Sequence, residues 1–162
     1  MNAPWLAPLA LVAGCSTTGG IARDDARAPP GRSVTACHEG FQPSGDDRAD
    51  VTRLARACGA VARLGPTRTV TQTADTPVTR FTFAASGGDC YRVFAVGGDG
   101  VVELDAMLRG PDGRPLARDD DSGGVAVAPL AASLCAPRDD TYAVDVAVTR
   151  GSGRFSVELW RQ

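Results

Sequence analysis

Two hydrophobic periods divide the chain. From about Thr67 onward, apolar side chains recur at every second position. Phe81, Phe83 and Ala85 alternate with Thr82 and Ala84, and Tyr91, Val93 and Ala95 follow. Val102, Leu104, Ala106 and Leu108 alternate with Glu103 and Asp105. Tyr142, Val144, Val146 and Val148 alternate with Asp145 and Thr149, and Phe155, Val157 and Leu159 with Ser156 and Glu158. A period of two sends neighbouring side chains to opposite faces, so these runs predict strands with one buried face. Ser86-Gly87-Gly88-Asp89, Gly97-Gly98-Asp99-Gly100, Gly110-Pro111-Asp112-Gly113 and Gly151-Ser152-Gly153 separate them, each composed of turn residues. Shorter strands are expected at 115–118, 124–128 and 132–135. Seven or eight short antiparallel strands joined by turns predict a mainly-β fold, a jelly-roll-like β-sandwich over residues 67–162. Trp160 falls on the face opposite Leu159, where partial exposure is expected, whereas Tyr91 and Tyr142 fall inward.

Residues 34–66 follow a different period. Asp46 or Asp47 can cap a helix whose apolar residues Val51, Leu54, Ala55, Cys58 and Val61 share one face, with Gly65-Pro66 ending it. Cys58 lies on that face, where a bridge to Cys37 would tie the preceding loop to the helix. The expected unit is a small disulfide-tied helical cap.

Nearer the N-terminus, a short apolar run from Trp5 to Ala13 closes on Val12-Ala13-Gly14-Cys15. Small residues followed by Cys at that spacing resemble the lipobox of bacterial lipoproteins. The resemblance implies a signal peptide over residues 1–14 and a diacylglycerol-bearing Cys15 as the mature terminus. The run is too short to span a bilayer. Residues 15–33, rich in Gly, Pro, Ser and charge, read as a flexible tether. Attachment would come from acyl chains at about 0.8 kcal/mol per buried methylene. Ser16 stands where an Asp would favour retention at the inner membrane, so the expected location is the cell envelope, lipid-anchored, on the outer membrane.

Charge narrows the partners. All 17 basic residues are Arg, the net charge is −2, and the arginines are scattered singly, so no basic stripe points to nucleic acid. The five cysteines are an odd count that lipidation of Cys15 resolves. In an oxidising compartment Cys37, Cys58, Cys90 and Cys135 would then form two disulfides. Three pairings exist. Cys37–Cys58 with Cys90–Cys135 is favoured because each pair lies within one compositional unit, and Cα separations of about 4.4–6.8 Å are expected. A zinc site does not fit, since the chain has no closely spaced Cys pair and one His.

An ordered set of elements runs through the second half. It comprises Phe81-Thr82-Phe83, Gly88-Asp89-Cys90-Tyr91-Arg92-Val93, Leu104-Asp105-Ala106-Met107-Leu108, Asp112-Gly113, Leu116-Ala117-Arg118-Asp119-Asp120-Asp121, Thr141-Tyr142-Ala143-Val144 and Gly151-Ser152-Gly153-Arg154-Phe155. Over roughly residues 70–161 this resembles the bacterial pre-peptidase C-terminal (PPC) domain, a jelly-roll-like module, and its cysteine-containing relatives in small lipoproteins. The resemblance implies an accessory role without chemistry of its own. No peptidase precedes the module in this sequence.

Two motifs invite chemistry. Asp121-Ser122-Gly123-Gly124 resembles the nucleophile segment of chymotrypsin-like proteases, and Thr35-Ala36-Cys37-His38 echoes the segment around their histidine. A hydrolase would need Ser122 as nucleophile and His38 as base. The position that should carry an oxyanion-hole Gly is Asp120, whose charge opposes a developing oxyanion. Asp119, Asp120 and Asp121, with Asp112, are the better candidates, as carboxylates for a structural calcium ion. A sugar-stacking platform would require Trp160, Tyr142 and Tyr91 on the surface. The sequence therefore predicts a non-enzymatic, lipid-anchored module that contacts an envelope protein or polymer through loops. The alternatives are a calcium-assisted carbohydrate or adhesion module and, more remotely, the Ser122/His38 hydrolase.

Overall fold

The structure, a computed structural model, describes residues 37–73 and 76–162. Cys15, the leader and the tether lie outside the described residues. Ten strands and one α-helix follow in the order α1 (Asp47–Ala57), β1 (Ala62–Arg63), β2 (Arg68–Thr71), β3 (Thr79–Ala85), β4 (Cys90–Gly97), β5 (Val101–Arg109), β6 (Pro115–Asp119), β7 (Val125–Ala128), β8 (Leu134–Cys135), β9 (Asp140–Gly151) and β10 (Arg154–Arg161). They form two antiparallel sheets, β1-β10-β4-β7 and β3-β9-β5-β6, with β2 also pairing β10 and β8 pairing β4. The fold is a mainly-β sandwich. Between the sheets lie Val93, Ala95, Leu104, Ala106, Leu108, Val144, Val146, Phe155 and Val157, the inward set that the alternation identifies.

The helix begins where its cap is strongest. The Asp46 carboxylate accepts the Arg48 and Ala49 N–H groups at 3.1 Å each, and Asp47 and Asp50 add negative charge in the first turn. It ends earlier than Gly65-Pro66. Gly59, at φ +77°, donates its N–H to Arg56 and lets Ala60 donate to Ala55, closing the helix just after Cys58. Val61 therefore leaves the apolar face and stands 76% exposed. The residues after it are not part of a separate cap. Ala62 and Arg63 pair with Arg161 and Trp160, and Arg68–Thr71 continue along the same edge of β10, so Gly65-Pro66 interrupts an edge strand.

Sheet β1-β10-β4-β7 is covered on both faces. Inside it faces the other sheet; outside, Val51, Leu54, Ala55 and Cys58 of the helix pack on Phe94, Val96, Val127 and Trp160. This overturns the expectation that alternate residues of β4 meet water and that Trp160 is partly exposed, because Trp160 is 5% exposed beneath the helix. A polar hub lies within the same interface. The buried Glu158 carboxylate accepts from Thr52 Oγ1 at 2.7 Å, Arg63 at 2.9 Å, Thr67 Oγ1 at 2.5 Å and Trp160 Nε1 at 2.8 Å. Burial pushes this carboxyl up, but those four donors outweigh it and its pKa falls below the ordinary value.

The second sheet keeps one face in water, with a bulge near Val101 and Glu103 that turns Val102 outward and leaves it 48% exposed, against its expected inward place. On that outer face Asp145 accepts from Arg80 at 2.6 and 2.8 Å and from Arg109 at 2.6 Å. The hydrogen bond from Arg80, then that from Arg109, holds its pKa below the usual carboxylate value despite partial burial.

Both disulfides form as paired in the sequence reading. Cys37–Cys58 has its Cα atoms 4.9 Å apart. Cys90–Cys135 joins directly opposed residues of β4 and β8 with Cα atoms 3.9 Å apart, closer than the expected range. Adjacent Ala136 donates to Asp89, which makes the cysteine pair a non-hydrogen-bonded one, the kind in which opposed residues approach most closely.

Two measurements test these assignments. Glu158→Gln keeps one acceptor oxygen for Thr52, Arg63 and Thr67 and turns an NH2 group, which cannot accept, toward the Trp160 N–H; it should cost about 1–3 kcal/mol in urea unfolding followed by tryptophan fluorescence. Because Asp145 has a depressed pKa in the folded state, its stabilisation is present above the unfolded carboxylate value and is lost as pH falls through the folded one. Asp145→Asn should therefore flatten the acid limb of a stability–pH profile below about pH 4 and leave its shape near neutrality unchanged.

Candidate functional site

At one end of the sandwich three segments surround an open cleft of about 710 Å3. The strap before the helix contributes His38, Phe41, Pro43 and Gly45; the β4–β5 turn contributes Gly97 to Val101; the β6–β7 loop contributes Asp121 to Val125. Its volume is within the range of small-ligand pockets, and it is built from loops on a rigid scaffold.

Each wall is held by identifiable bonds. The strap is tied at its start by Cys37–Cys58 and near its end by Ser44, whose N–H and hydroxyl both donate to the buried Asp50 carboxylate at 2.6 and 2.9 Å. Between these anchors, Arg53 donates to the Gln42 carbonyl at 2.6 Å and lies 4.3 Å from the centre of the Phe41 ring. The β4–β5 turn interlocks with the β9–β10 turn backbone to backbone. Ser152 N–H donates to Gly100 at 3.0 Å, and a Cβ at Gly151 would collide with the Gly100 carbonyl, so only Gly fits there.

The β6–β7 loop hangs on Asp119. This side chain is 1% exposed, and its carboxylate accepts Asp121 N–H at 3.0 Å and Val127 N–H at 2.5 Å, clamping both ends of the loop. Burial pushes the Asp119 carboxyl above its ordinary value, by more than the two backbone donors pull it down. Both of its oxygens accept from backbone N–H groups at the ends of the loop.

The aspartates expected to share a calcium ion are thus dispersed. Asp119 is a buried loop clamp, Asp120 pairs with Arg118 at 3.2 Å, and Asp121 lines the cleft. Asp112 lies in the β5–β6 turn, at the opposite end of β6, where it accepts the Arg114 N–H at 3.0 Å. Among the described residues no three His, Cys, Asp or Glu side chains form a group suited to a metal. The aromatic platform is absent as well, since Tyr91, Tyr142 and Trp160 are all buried.

His38 and Ser122, by contrast, do meet at one cleft, although the sequence places them far apart. Both border it, with Asp121 and Asp99 the acidic side chains in its lining. His38 Nδ1 is buried without a hydrogen-bond partner among the described residues, so no carboxylate there orients the imidazole as a triad requires. What sequence reasoning missed is the strap. Phe41 and Pro43 had no periodic signal, and only the tie through Cys37 hinted that this segment closes onto the sandwich.

No family model matches the chain, and no curated protein does. Among solved structures, the pre-peptidase C-terminal domain of a collagenase from Bacillus anthracis is similar, with 15% identity and a TM-score of 0.45 over 61% of this chain and 90% of that one.

Asp119→Asn can replace only one of the two acceptors of the loop clamp. It should cost about 1–3 kcal/mol and speed amide hydrogen exchange selectively at residues 121–127, with little change in β9. Equal acceleration of both regions would show that Asp119 supports the whole core and not this loop.

Proposed function

We propose that this chain is a lipid-anchored, non-enzymatic module of the bacterial cell envelope that holds a protein or polymer partner in the loop-walled cleft. The observation that carries the reading is the convergence of three separately anchored segments on one open cleft of about 710 Å3. Phe41, Pro43 and Val125 offer apolar contact there, and Asp99, Asp121 and Ser122 offer polar contact. Loops fixed by a disulfide, a carboxylate clamp and a glycine interlock lose little freedom when a partner binds, which favours affinity.

The anchor is Cys15, carrying diacylglycerol after removal of residues 1–14, with the outer membrane as the destination. Support comes from the lipobox-like Val12-Ala13-Gly14-Cys15 and from Ser16. None of the helices among the described residues is long and apolar enough to cross a membrane. An exported location also accords with the two disulfides.

A hydrolase reading draws on the shared position of His38 and Ser122. It needs an imidazole oriented toward the serine, and the unpartnered Nδ1 speaks against a built triad.

Three measurements decide between these. Metabolic labelling with an alkyne fatty acid should mark the wild type and not Cys15→Ala; equal labelling of both removes the anchor. Asp121→Arg with Ser122→Tyr, at exposed positions of the cleft loop, should weaken retention on isolated envelope fractions at least tenfold, about 1.4 kcal/mol. Leu116→Arg at the far end should not, and equal retention by all three proteins would contradict binding at the cleft. A fluorophosphonate probe should leave Ser122 unlabelled; labelling that Ser122→Ala abolishes would establish the hydrolase instead.

A further inference from the structure

Arg92 carries a buried charge that takes no part in the ion pairs among the described residues. This guanidinium is 0% exposed and stands on the outer face of β4. It donates to the Pro129 and Leu130 carbonyls at 3.1 Å each and lies 5.3 Å from the centre of the Phe94 ring. Among the described residues it has no carboxylate within ion-pair distance, although every buried carboxylate of the helix interface (Asp47, Asp50 and Glu158) has its own Arg. The remaining neighbour is sulfur. Arg92 Nη1 and Nη2 lie 3.9 and 3.8 Å from Cys37 Sγ, inside the disulfide that ties down the cleft strap.

A buried cation without a counter-ion is costly, and a thiolate at Cys37 would supply one. We propose that Cys37–Cys58 is a reducible control on the cleft, opened by a dithiol reductant, with Cys37 leaving as a thiolate held by Arg92. The regulatory consequence rests on the reading of the cleft as the binding site.

In the exchange a reductant thiolate reaches Cys58 Sγ at the helix C-cap, where the residue is 9% exposed, and attacks it. A new S–S bond forms there, the Cys37–Cys58 bond breaks, and its electron pair passes to Cys37 Sγ beside the guanidinium. A thiol of lower pKa is the better leaving group, which directs the attack to Cys58. The reductant's second thiol then attacks its own sulfur of the mixed disulfide and releases Cys58. The reductant becomes a disulfide, the two cysteines take up its two electrons, Cys58 ends as a thiol, and the proton left over by the Cys37 thiolate goes to solvent.

Reduction removes the covalent tie between Cys37, at the start of the strap, and the helix. Ser44 on Asp50 still holds the end next to the helix. Arg53 still holds the Gln42 carbonyl and the Phe41 ring, so the wall loosens from its Cys37 end, at His38, while the helix stays docked. Cys90–Cys135 differs in setting, since it lies within a ladder between β4 and β8.

The test titrates the full oxidised protein with dithiothreitol, with differential alkylation and peptide mass mapping at each point. Cys37 and Cys58 should become alkylated at a dithiol concentration at least tenfold below that needed for Cys90 and Cys135. Glutathione followed by acid quench should trap a mixed disulfide on Cys58. Arg92→Met should erase the selectivity while Arg92→Lys keeps most of it, and the two wild-type measurements decide the matter if Arg92→Met does not fold. Prior reduction of Cys90–Cys135, or trapping on Cys37, would overturn the assignment. Hydrogen exchange should quicken at residues 37–41 after selective reduction and stay slow at 51–55; an unchanged strap would overturn the control of the cleft. No partner enters these measurements, so their failure is separate from failure of the binding reading.

Discussion

Burial of one sheet on both of its faces shapes everything else in this molecule. β4 and β10 carry apolar residues toward the second sheet and also toward the helix, and the helix supplies Val51, Leu54 and Ala55, each 0% exposed. An isolated helix of 11 residues would be marginal in water. Here it is held by its apolar face, by an Asp46 cap, and by polar pins to β10: Asp47 takes Arg154 and Ser156, and Thr52 donates to Glu158. Asp50 instead takes Ser44 of the strap and Arg53 of the helix itself. Each such carboxylate has hydrogen-bond donors enough to offset its burial. The polar groups fix the rotation and position of the helix; the apolar contacts supply most of the attraction.

The cleft follows from that docking. Its strap is the segment leading into the helix, fastened to it by Cys58, Asp50 and Arg53. The opposing walls are turns of the sandwich itself, one interlocked through Gly100 and Gly151 and the other hung on Asp119. A helix shifted along the sheet would carry His38, Phe41 and Pro43 away from Ser122 and Val125. The shape of the cleft is a property of how residues 37–57 seat on the sheet more than of any single loop.

Much of this was legible in the sequence, for physical reasons that also mark the limits. The inward residues of β3, β9 and β10 follow from strict alternation, and Asp46 announces the helix start because its carboxylate has a backbone to cap. That there are two disulfides follows from the parity of the cysteines once Cys15 is set aside, and their pairing from each pair's lying within one compositional unit. Trp160, expected to be partly exposed, is buried with Phe94 and Val96 because alternation describes a sheet with one wet face and is silent about a helix lying on the other. Val102 was misjudged because a bulge reverses the facing of the residues beside it. Ala62–Arg63 and Arg68–Thr71 are too short to show a period. Asp119-Asp120-Asp121 reads as an acidic turn, yet one bend sends the first carboxylate inward to backbone N–H groups, the second to Arg118 and the third to the cleft. His38 and Ser122 met only in three dimensions.

The claim that the helix is an integral layer, and not an appended cap, is tested most directly by native-state hydrogen exchange in rising urea. Amides of Val51 to Ala55 and of Val93 to Ala95 should converge on one opening free energy, that of global unfolding. Helix amides that exchange through a separate opening several kcal/mol lower, with the strands still protected, would contradict it.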